Sequence, residues 1–288
     1  MSAEPTLSVV IGSAAPPERL EACLTALAPQ VDGVEVLVHE ATESPAALRA
    51  RYPWARFTTT PGALVPHLWR DGIDAATGDA VALTIGPMQP APDWIMRVRE
   101  ALGSHEAVGG AIEPARGLPL VDLAEFLCRY ARDMRPFAAR PNVDIPGDNA
   151  AYRTSALALV REDYRDGFWE NVVDRRLADA GVVPWHTPDV VVSMGRSAGF
   201  HAFVRQRSAH GRLYGHQRGE RFGRARNLVG VLASPLVPFL MTLRVYRELA
   251  SRRRVGARVL LALPIVFAFN LVWAVAETRG HADMALGR

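Results

Sequence analysis

The stretch LSVVIGSAAPPERLEACLTALAPQVDGVEVLVHE (Leu7–Glu40) sets the fold class of this chain. It opens with a short apolar and β-branched run, Leu7–Ile11, that stops at a glycine, which is typical of a buried strand followed by a loop. The next apolar residues recur at the spacing of one helix face, at Leu20, Cys23, Leu24 and Leu27. A second strand is predicted at Val34–Val38. A strand, a helix and a strand in this order predict a parallel crossover.

The alternation continues along the chain, with predicted elements at helix Ser44–Tyr52, a strand near Phe57, helix Val65–Ala76 and strand Ala80–Leu83. This pattern predicts an open, doubly wound α/β sheet, in which ligands bind at the carboxyl ends of the strands. The predicted site loops are therefore residues 12–16, 39–44 and 84–88.

The alternation weakens in the second half of this region. A strand is predicted at Val108–Ile112, and a loop at Gly147–Tyr152. Helices are predicted at Trp94–Leu102, Val121–Arg132, Arg153–Val160 and Glu170–Ala180.

Composition excludes several classes of protein. The chain is 49% hydrophobic and 22% charged, which excludes a disordered chain. Its only cysteines are Cys23 and Cys128, so the sequence contains no cysteine cluster for a metal and nothing demands an oxidising compartment.

The charge is unevenly distributed. Residues 1–195 carry 17 arginines against 26 carboxylates, a net charge of −9, whereas residues 196–288 carry 16 arginines against 4 carboxylates, a net charge of +12. A basic segment indicates a polyanionic partner, either nucleic acid or an anionic membrane. The apolar runs Leu228–Leu243 and Val259–Ala276 favour the membrane over nucleic acid.

Three quoted stretches resemble the family-two glycosyltransferases of GT-A fold. They are GDAVALTIGPMQPAPDWI (Gly78–Ile95), PGDNAAYRTSAL (Pro146–Leu157) and FWENVVDRRLADAG (Phe168–Gly181). The resemblance covers roughly residues 6–195. FVRQRSAHGR (Phe203–Arg212) is similar to a basic segment of membrane-bound members, and ALPIVFAFNLVWAVAE (Ala262–Glu277) is similar to their hydrophobic end.

The resemblance implies an α/β GT-A domain with a mixed, Rossmann-like sheet over residues 1–195, a basic helical linker over 196–226 and a membrane-associated helical pair over 227–288. It also implies an inverting transferase that moves a sugar from a nucleotide-diphosphate donor to a lipid-linked or cell-envelope acceptor. The alternative is a catalytically degenerate homologue that serves as a membrane-bound scaffold or ligand-binding protein.

Several motifs of the family are altered here. The first strand opens on a loop containing Ser13, and the second ends in His39-Glu40-Ala41, so Ser13 and Glu40 are the donor-binding candidates at these strand ends. The family holds Mg²⁺ or Mn²⁺ through an Asp-x-Asp motif, but Ile85-Gly86-Pro87 stands in its place. These side chains cannot ligate a hard cation, so we predict no metal-binding residues here. The alternative that the resemblance implies is Mg²⁺ or Mn²⁺ bound weakly through the phosphates of the donor.

Two later motifs agree better with the family. Gly147-Asp148-Asn149 retains the glycine turn, which makes Asp148 a catalytic candidate and Asn149 a donor-binding candidate. Glu170 falls where the family carries its general base, and Asp174 lies four residues later on the same helix face. Arginine can replace a cation on a diphosphate, and the candidates are Arg205, Arg207 and Arg212.

Each candidate has a structural alternative. Glu170 is also compatible with a solvated acid in the first turn of a helix. Asp148 and Asn149 are compatible with helix capping, and Glu40 with an exposed charge at a strand end. The arginines of 205–212 are equally compatible with contact to lipid head groups.

The expected location is the cytoplasmic face of the inner membrane, because Met1–Pro5 has no basic signal-peptide region. If both apolar runs crossed, the arginine-rich loop Arg244–Arg258 would lie opposite the catalytic domain, against the positive-inside tendency. The sequence therefore favours a monotopic hairpin, and a two-span hairpin is the alternative.

Overall fold

The computed structural model describes residues 6–196, 199–220, 231 and 234–285. These residues form two compact units. The first contains the described residues up to Ala115 together with Asp133–Gly195, and the second contains Arg116–Arg132 and the described residues from Arg196 onward.

The first unit is built on one mixed β-sheet. Its strands are β1 (Leu7–Ser13), β2 (Val34–Glu40), β3 (Ala55–Thr59), β4 (Ala80–Ile85), β5 (Met88–Pro90), β6 (Ala107–Pro114), β7 (Arg140–Pro141), β8 (Asn149–Arg153) and β9 (Trp185–Met194). Its helices are α1 (Pro17–Leu27), α2 (Ala46–Arg51), α3 (Val65–Ala75), α4 (Trp94–Leu102), α6 (Thr154–Leu159) and α7 (Glu170–Asp179).

The strand order is β3-β2-β1-β4-β8-β6-β9-β5, and β7 pairs with β9. Strands β1 to β4 are mutually parallel where they pair, which confirms the predicted crossovers. Strand β8 runs antiparallel between β4 and β6. The predicted α/β class and mixed sheet are confirmed.

The predicted loop at Gly147–Tyr152 is wrong over most of its length. Asn149–Arg153 is strand β8, and it pairs Asn149 with Thr84 and Ala151 with Ala82. Four of its five residues are buried, so the segment lacks the alternation of polar and apolar residues that marks a half-exposed strand. Its partners are far away in sequence, and no local pattern identifies them.

The helix predicted at the first crossover is confirmed, and it packs by the face that the spacing indicated. Helix α1 buries Leu20, Cys23, Leu24 and Leu27. Burial raises the pKa of the Cys23 thiol to about 12, so this cysteine is an inert member of the core.

The second unit is helical in the part of the chain that the structure describes. It contains α5 (Leu120–Tyr130), α8 (Phe200–Glu220), α9 (Val237–Ser251) and α10 (Ala257–Ala285). Helix α5 belongs to this unit, although the sequence predicted it within the first domain. The predicted domain limits stay predictions, and parts of the 196–226 linker and of the Leu228–Leu243 run lie outside the described residues.

Helix α10 is the one helix among the described residues that is long and apolar enough to cross a membrane. The qualifying segment is Ala257–Asp283, in which the most apolar 18-residue window has a mean hydropathy of 2.4 and 33% of that window is buried within the protein. Length and hydropathy alone are weak grounds for a membrane span, because a core helix passes the same test.

Candidate active site

The side chain of Trp69 connects the carboxyl ends of two strands. Its Nε1 donates a hydrogen bond to the carbonyl oxygen of Thr84, at the end of β4, over 2.9 Å. The indole also lies against Gly12 of β1, where an added Cβ would be 3.0 Å from Cδ1 and Nε1. Trp69 therefore fixes the spacing of two of the three predicted site loops.

The same indole extends to the loop that precedes β8. A Cβ on Gly147 would lie 3.1 Å from Trp69 Cζ3 and 3.0 Å from Glu170 Cβ. Because Gly147 has no side chain, the Gly147-Asp148 loop can lie directly against Glu170. Two of the three predicted catalytic residues, Asp148 and Glu170, are thus placed around one glycine, and both are partly exposed.

Glu170 is the first residue of α7, and Asp174 follows one turn later on that helix. A carboxylate in the first turn is stabilised by the helix dipole. Asp174 is completely buried, where its two oxygens accept hydrogen bonds from the Tyr152 hydroxyl at 2.9 Å and from the Ile145 amide at 3.1 Å.

The pKa of Asp174 is raised well above its ordinary value, first by burial and also by the nearby charge of Glu170. The pKa of Tyr152 is likewise raised well above its usual range by burial and by Asp174. Asp174 is therefore a buried carboxyl that favours its protonated form beside Glu170. Asp174 is completely buried and these hydrogen bonds are internal to the protein, and a catalytic role for this residue stays a prediction.

Glu40 lies at the end of β2 and is only 1% exposed, so the exposed strand-end alternative is wrong. Its carboxylate accepts hydrogen bonds from the Ser44 amide at 3.0 Å and hydroxyl at 2.5 Å, from Thr59 at 3.1 Å, and from the Arg49 guanidinium. These contacts fix the loop after β2 to the start of α2. A role of Glu40 in donor binding stays a prediction.

Ser13 pairs with Glu40 in the β1–β2 register and is 2% exposed. The loop after β4 approaches it closely, because a Cβ on Gly86 would lie 2.8 Å from Ser13 Oγ. The structure thus brings two donor-binding candidates and the third predicted loop together at one edge of the sheet.

Asn149 is completely buried and joins three elements. Its Nδ2 donates to the carbonyl oxygens of Ala111 at 2.9 Å and Val190 at 3.0 Å, and its Oδ1 accepts from Trp94 Nε1 at 2.8 Å. Both amide hydrogens are thus used inside the protein. The side chain supports strands β6 and β9 and helix α4, so the capping alternative for Asn149 is wrong. A role of Asn149 in binding the sugar donor stays a prediction.

The residues after β4 do not fit a divalent cation. Thr84 is completely buried, Ile85 is 6% exposed and closes the strand, and no carboxylate occupies this loop. Mg²⁺ and Mn²⁺ prefer carboxylate and other hard oxygen ligands. No group of three or more metal-ligating side chains occurs among the described residues.

The three predicted arginines lie on α8, in the second unit. Arg207 donates to Asn270 Oδ1 over 2.8 Å, and Arg212 pairs with Asp283 over 2.9 Å. Arg205 is exposed. Two of the three guanidinium groups thus have partners on α10, and their contact with a diphosphate stays a prediction.

Sequence reasoning missed Trp69 and Tyr152. Trp69 carries an ordinary helical signal, since it lies on the buried face of α3 together with Leu68. Tyr152 falls in the segment that was predicted as a loop. Neither has a local motif, because their site contacts are to residues 15 and 22 positions away.

Comparisons with solved structures identify the fold. A mannosyltransferase from Pyrobaculum calidifontis, PcManGT in complex with GDP-Man and Mn²⁺, superposes with a TM-score of 0.54 at 17% identity, over 99% of this chain and 87% of that one. GalNAc-T7 with UDP, GalNAc and Mn²⁺ superposes with a TM-score of 0.52 at 11% identity, over 68% of this chain and 44% of that one. The fold is similar to that of GT-A glycosyltransferases.

The similarity to glycosyltransferases lies in the fold alone. No protein-family profile and no curated protein sequence matches the chain. The chain spans most of PcManGT but less than half of GalNAc-T7. At these identities the likeness shows the fold, and any activity rests on the residues of this chain.

Proposed function

We propose that this protein transfers a sugar, with inversion, from a nucleotide-diphosphate donor to an acceptor hydroxyl. The observation that carries the proposal is the convergence of Glu170 and the Gly147-Asp148 loop on Trp69, at the carboxyl edge of the sheet. In open α/β sheets this edge is where ligands bind. Both structural neighbours were solved with nucleotide or nucleotide-sugar, which supports the same class of donor.

In the proposed reaction Glu170 is the general base. Its carboxylate takes the proton of the acceptor hydroxyl while that oxygen bonds to the anomeric carbon, and the bond from that carbon to the diphosphate oxygen breaks. The nucleoside diphosphate leaves from the opposite face of the sugar. Asp148 is proposed to orient the acceptor.

The first experiment tests donor binding. Because the loop after β4 offers no carboxylate, we expect nucleotide sugars to raise the thermal unfolding temperature of the full chain equally with and without EDTA. A panel containing GDP-mannose and UDP-linked hexoses identifies the donor. A strict requirement for Mn²⁺ would contradict the proposed cation-independent site.

The second experiment tests the base. With the donor found, Glu170→Gln is expected to lower kcat by about 10²–10⁴-fold, the usual contribution of a general base, while the donor Kd stays nearly unchanged. Glu162→Gln is the matched control, since this glutamate is 86% exposed. A fully active Glu170→Gln protein would refute the assignment and transfer it to Asp148.

The finer proposal places the reaction at the cytoplasmic face of the inner membrane, with a lipid-linked or cell-envelope acceptor. The apolar helix α10 and the net charge of +12 over residues 196–288 support this location. Such a surface concentrates lipid-linked acceptors next to a catalytic domain that draws on cytoplasmic nucleotide sugars.

The second candidate is a catalytically degenerate homologue that binds a nucleotide or partner at the membrane. It is favoured by the buried Thr84-Ile85 end of β4 and by the internal contacts of Glu40 and Asn149. Donor binding without turnover for any acceptor, and without donor hydrolysis, would favour this second function.

A further inference from the structure

Helix α10 has one exposed apolar face and one buried face. The exposed residues are Leu260, Leu261, Leu271 and Val275, which are 46–62% exposed. They recur at intervals that place them on a single stripe of the helix. The opposite side is buried within the second unit through Ala262, Val266, Phe269, Asn270, Ala274 and Ala276.

The buried face carries a polar connection at its middle. Asn270 lies close to the midpoint of Ala257–Ala285, is 1% exposed and accepts a hydrogen bond from Arg207 Nη2 over 2.8 Å. Its Nδ2 donates to Thr242 Oγ1 over 3.1 Å, which ties α9 to the same point. The Arg207 guanidinium also lies 4.5 Å from the ring centroid of Trp273.

Glycines hold α8 directly against the backbone of α10. A Cβ on Gly215 would overlap the carbonyl oxygen of Glu277, and a Cβ on Gly280 would lie 2.5 Å from the carbonyl oxygen of Arg212. A Cβ on Gly211 would lie 2.9 Å from the Trp273 carbonyl oxygen. The two helices are therefore in direct backbone contact, with no room for even a methyl group at these three positions.

This connection argues against a membrane-crossing α10. A crossing helix would bring the Asn270–Arg207 pair to the middle of the bilayer, and α8 with its further arginines and histidines would have to follow. Arginine is among the most costly residues at that depth. Detaching α8 instead would break the hydrogen bond from Arg207 to Asn270 and open the glycine contacts.

Helix α9 extends the apolar surface of α10. Leu236, immediately before α9, and Phe239, Leu240 and Leu243 within it are 41–62% exposed and recur at the spacing of one helix face. The rings of Phe239 and Phe267 pack with centroids 4.9 Å apart, which joins the two helices. We call the exposed residues Leu236, Phe239, Leu240, Leu243, Leu260, Leu261, Leu271 and Val275 the apolar face.

Positively charged residues lie next to the apolar face and indicate an anionic partner. Arg244 and Arg247 continue the exposed side of α9, and Arg253 is exposed in the turn that follows. Their long side chains allow the charged groups to reach head groups while the leucines insert. Self-association of two such faces would bring these like charges together, so an anionic lipid surface fits better than a second copy.

We propose that the second unit lies in the plane of an anionic phospholipid bilayer, with the apolar face inserted and α10 not crossing. An in-plane helix of this kind buries its apolar side at the boundary between head groups and acyl chains. The inference deepens the proposed membrane location and does not depend on the transfer reaction. Its tests therefore use no sugar donor, and their failure is distinguishable from failure of the catalytic proposal.

The first test measures binding of the full chain to sedimented vesicles. Wild type is expected to bind phosphatidylglycerol–phosphatidylcholine vesicles, and Leu240→Glu combined with Leu261→Glu to lower the partition coefficient at least about tenfold. The matched control is Leu159→Glu, because this leucine of α6 is 61% exposed and lies in the first unit. Unchanged binding of the double variant, with circular dichroism equal to wild type, would overturn the proposal.

The second test decides whether α10 crosses. Ser251→Cys and Arg279→Cys place exposed thiols before and near the end of α10, and both are treated with an impermeant maleimide on inverted membrane vesicles. Both sites are expected to react, because an in-plane helix keeps its two ends on one side. Burial raises the pKa of the native Cys23 and Cys128 thiols to about 12, so they contribute little background. Protection of one end only would overturn the proposal.

Discussion

At the scale of single residues, the candidate site depends on one indole and one glycine. Trp69 bonds to the end of β4 and supports Gly147, and Gly147 in turn lies against Glu170. The proposed base is thus positioned by groups that do no chemistry themselves. Small changes in these groups should affect the transfer rate more than they affect stability.

Gly147→Ala tests this positioning. The added methyl would lie 3.0 Å from Glu170 Cβ, so we expect the carboxylate to be displaced and kcat to fall by about 10- to 100-fold, since a misplacement of about 1 Å can cost two orders of magnitude. The measurement is steady-state turnover with the donor found by thermal shift. An unchanged donor Kd serves as the control, and an unchanged kcat would show that Glu170 does not depend on this contact.

Asp174→Asn tests the buried carboxyl. Burial and Glu170 raise the pKa of Asp174 in the folded protein, whereas in the unfolded chain it is about 3.9. The protonated carboxyl thus contributes stability that is complete below about pH 4 and is lost as the pH rises through the folded pKa. An asparagine keeps a neutral amide in this place, so the free energy of unfolding of the variant should rise relative to wild type as the pH increases above 4.

The measurement for Asp174→Asn is urea unfolding between pH 4 and pH 8.5. Asp179→Asn is the control, because this carboxylate is 74% exposed at the end of the same helix. Parallel pH curves for wild type and Asp174→Asn would show that this carboxyl ionises alike in the folded and unfolded states.

At the scale of elements, the contact between α8 and α10 reverses the usual effect of replacing a helical glycine by alanine. Glycine to alanine inside a helix usually stabilises by about 0.5–1 kcal/mol. At Gly215 the new methyl would overlap the Glu277 carbonyl oxygen, which belongs to backbone and cannot turn aside. Gly215→Ala is therefore expected to destabilise the second unit by about 1–3 kcal/mol, the usual cost of overpacking.

Thermal unfolding of the full chain checks the expectation for Gly215. Ala209→Ser is a suitable control, because it also adds one heavy atom to α8 but at an exposed position. An unfolding temperature for Gly215→Ala at or above that of wild type would mean that α8 and α10 are not held in backbone contact.

At the scale of the whole molecule, charge and apolar surface are separated along the chain. Residues 1–195 have a net charge of −9 and residues 196–288 a net charge of +12. Binding to anionic vesicles should therefore weaken as salt shortens the Debye length from about 10 Å at 0.1 M to about 3 Å at 1 M. Insertion of apolar residues is not screened, so we expect the partition coefficient to fall several-fold and a residual binding to persist.

Vesicle sedimentation at increasing salt concentration separates the electrostatic attraction from the insertion of apolar residues. The variant with Leu240→Glu and Leu261→Glu should lose the residual binding at high salt, since only the electrostatic attraction remains to it. Complete release of the wild-type protein at 1 M salt would indicate a purely electrostatic association, and binding independent of salt would indicate that the arginines have no part in it.

The sequence by itself determined the layered α/β fold, because strand and helix periods are local properties. The apolar runs at β1, β2 and β4 and the spacing Leu20-Cys23-Leu24-Leu27 each specify an element and the face that it buries. Glu170 and Gly147 could likewise be singled out, since each stands in a recognisable stretch. A buried face, however, does not specify the residue that it will meet.

Only the tertiary structure decided those partners. It placed the Trp69 indole in a hydrogen bond with Thr84 and the Tyr152 hydroxyl in one with Asp174. It also joined Arg207 to Asn270, 63 residues away in sequence. It also buried Glu40 and placed both amide hydrogens of Asn149 in hydrogen bonds inside the protein. The sequence had offered both residues as candidates for binding the sugar donor. The physical reason is that a hydrogen bond or close contact between remote segments depends on how the chain returns on itself, and no local pattern of polarity encodes that path.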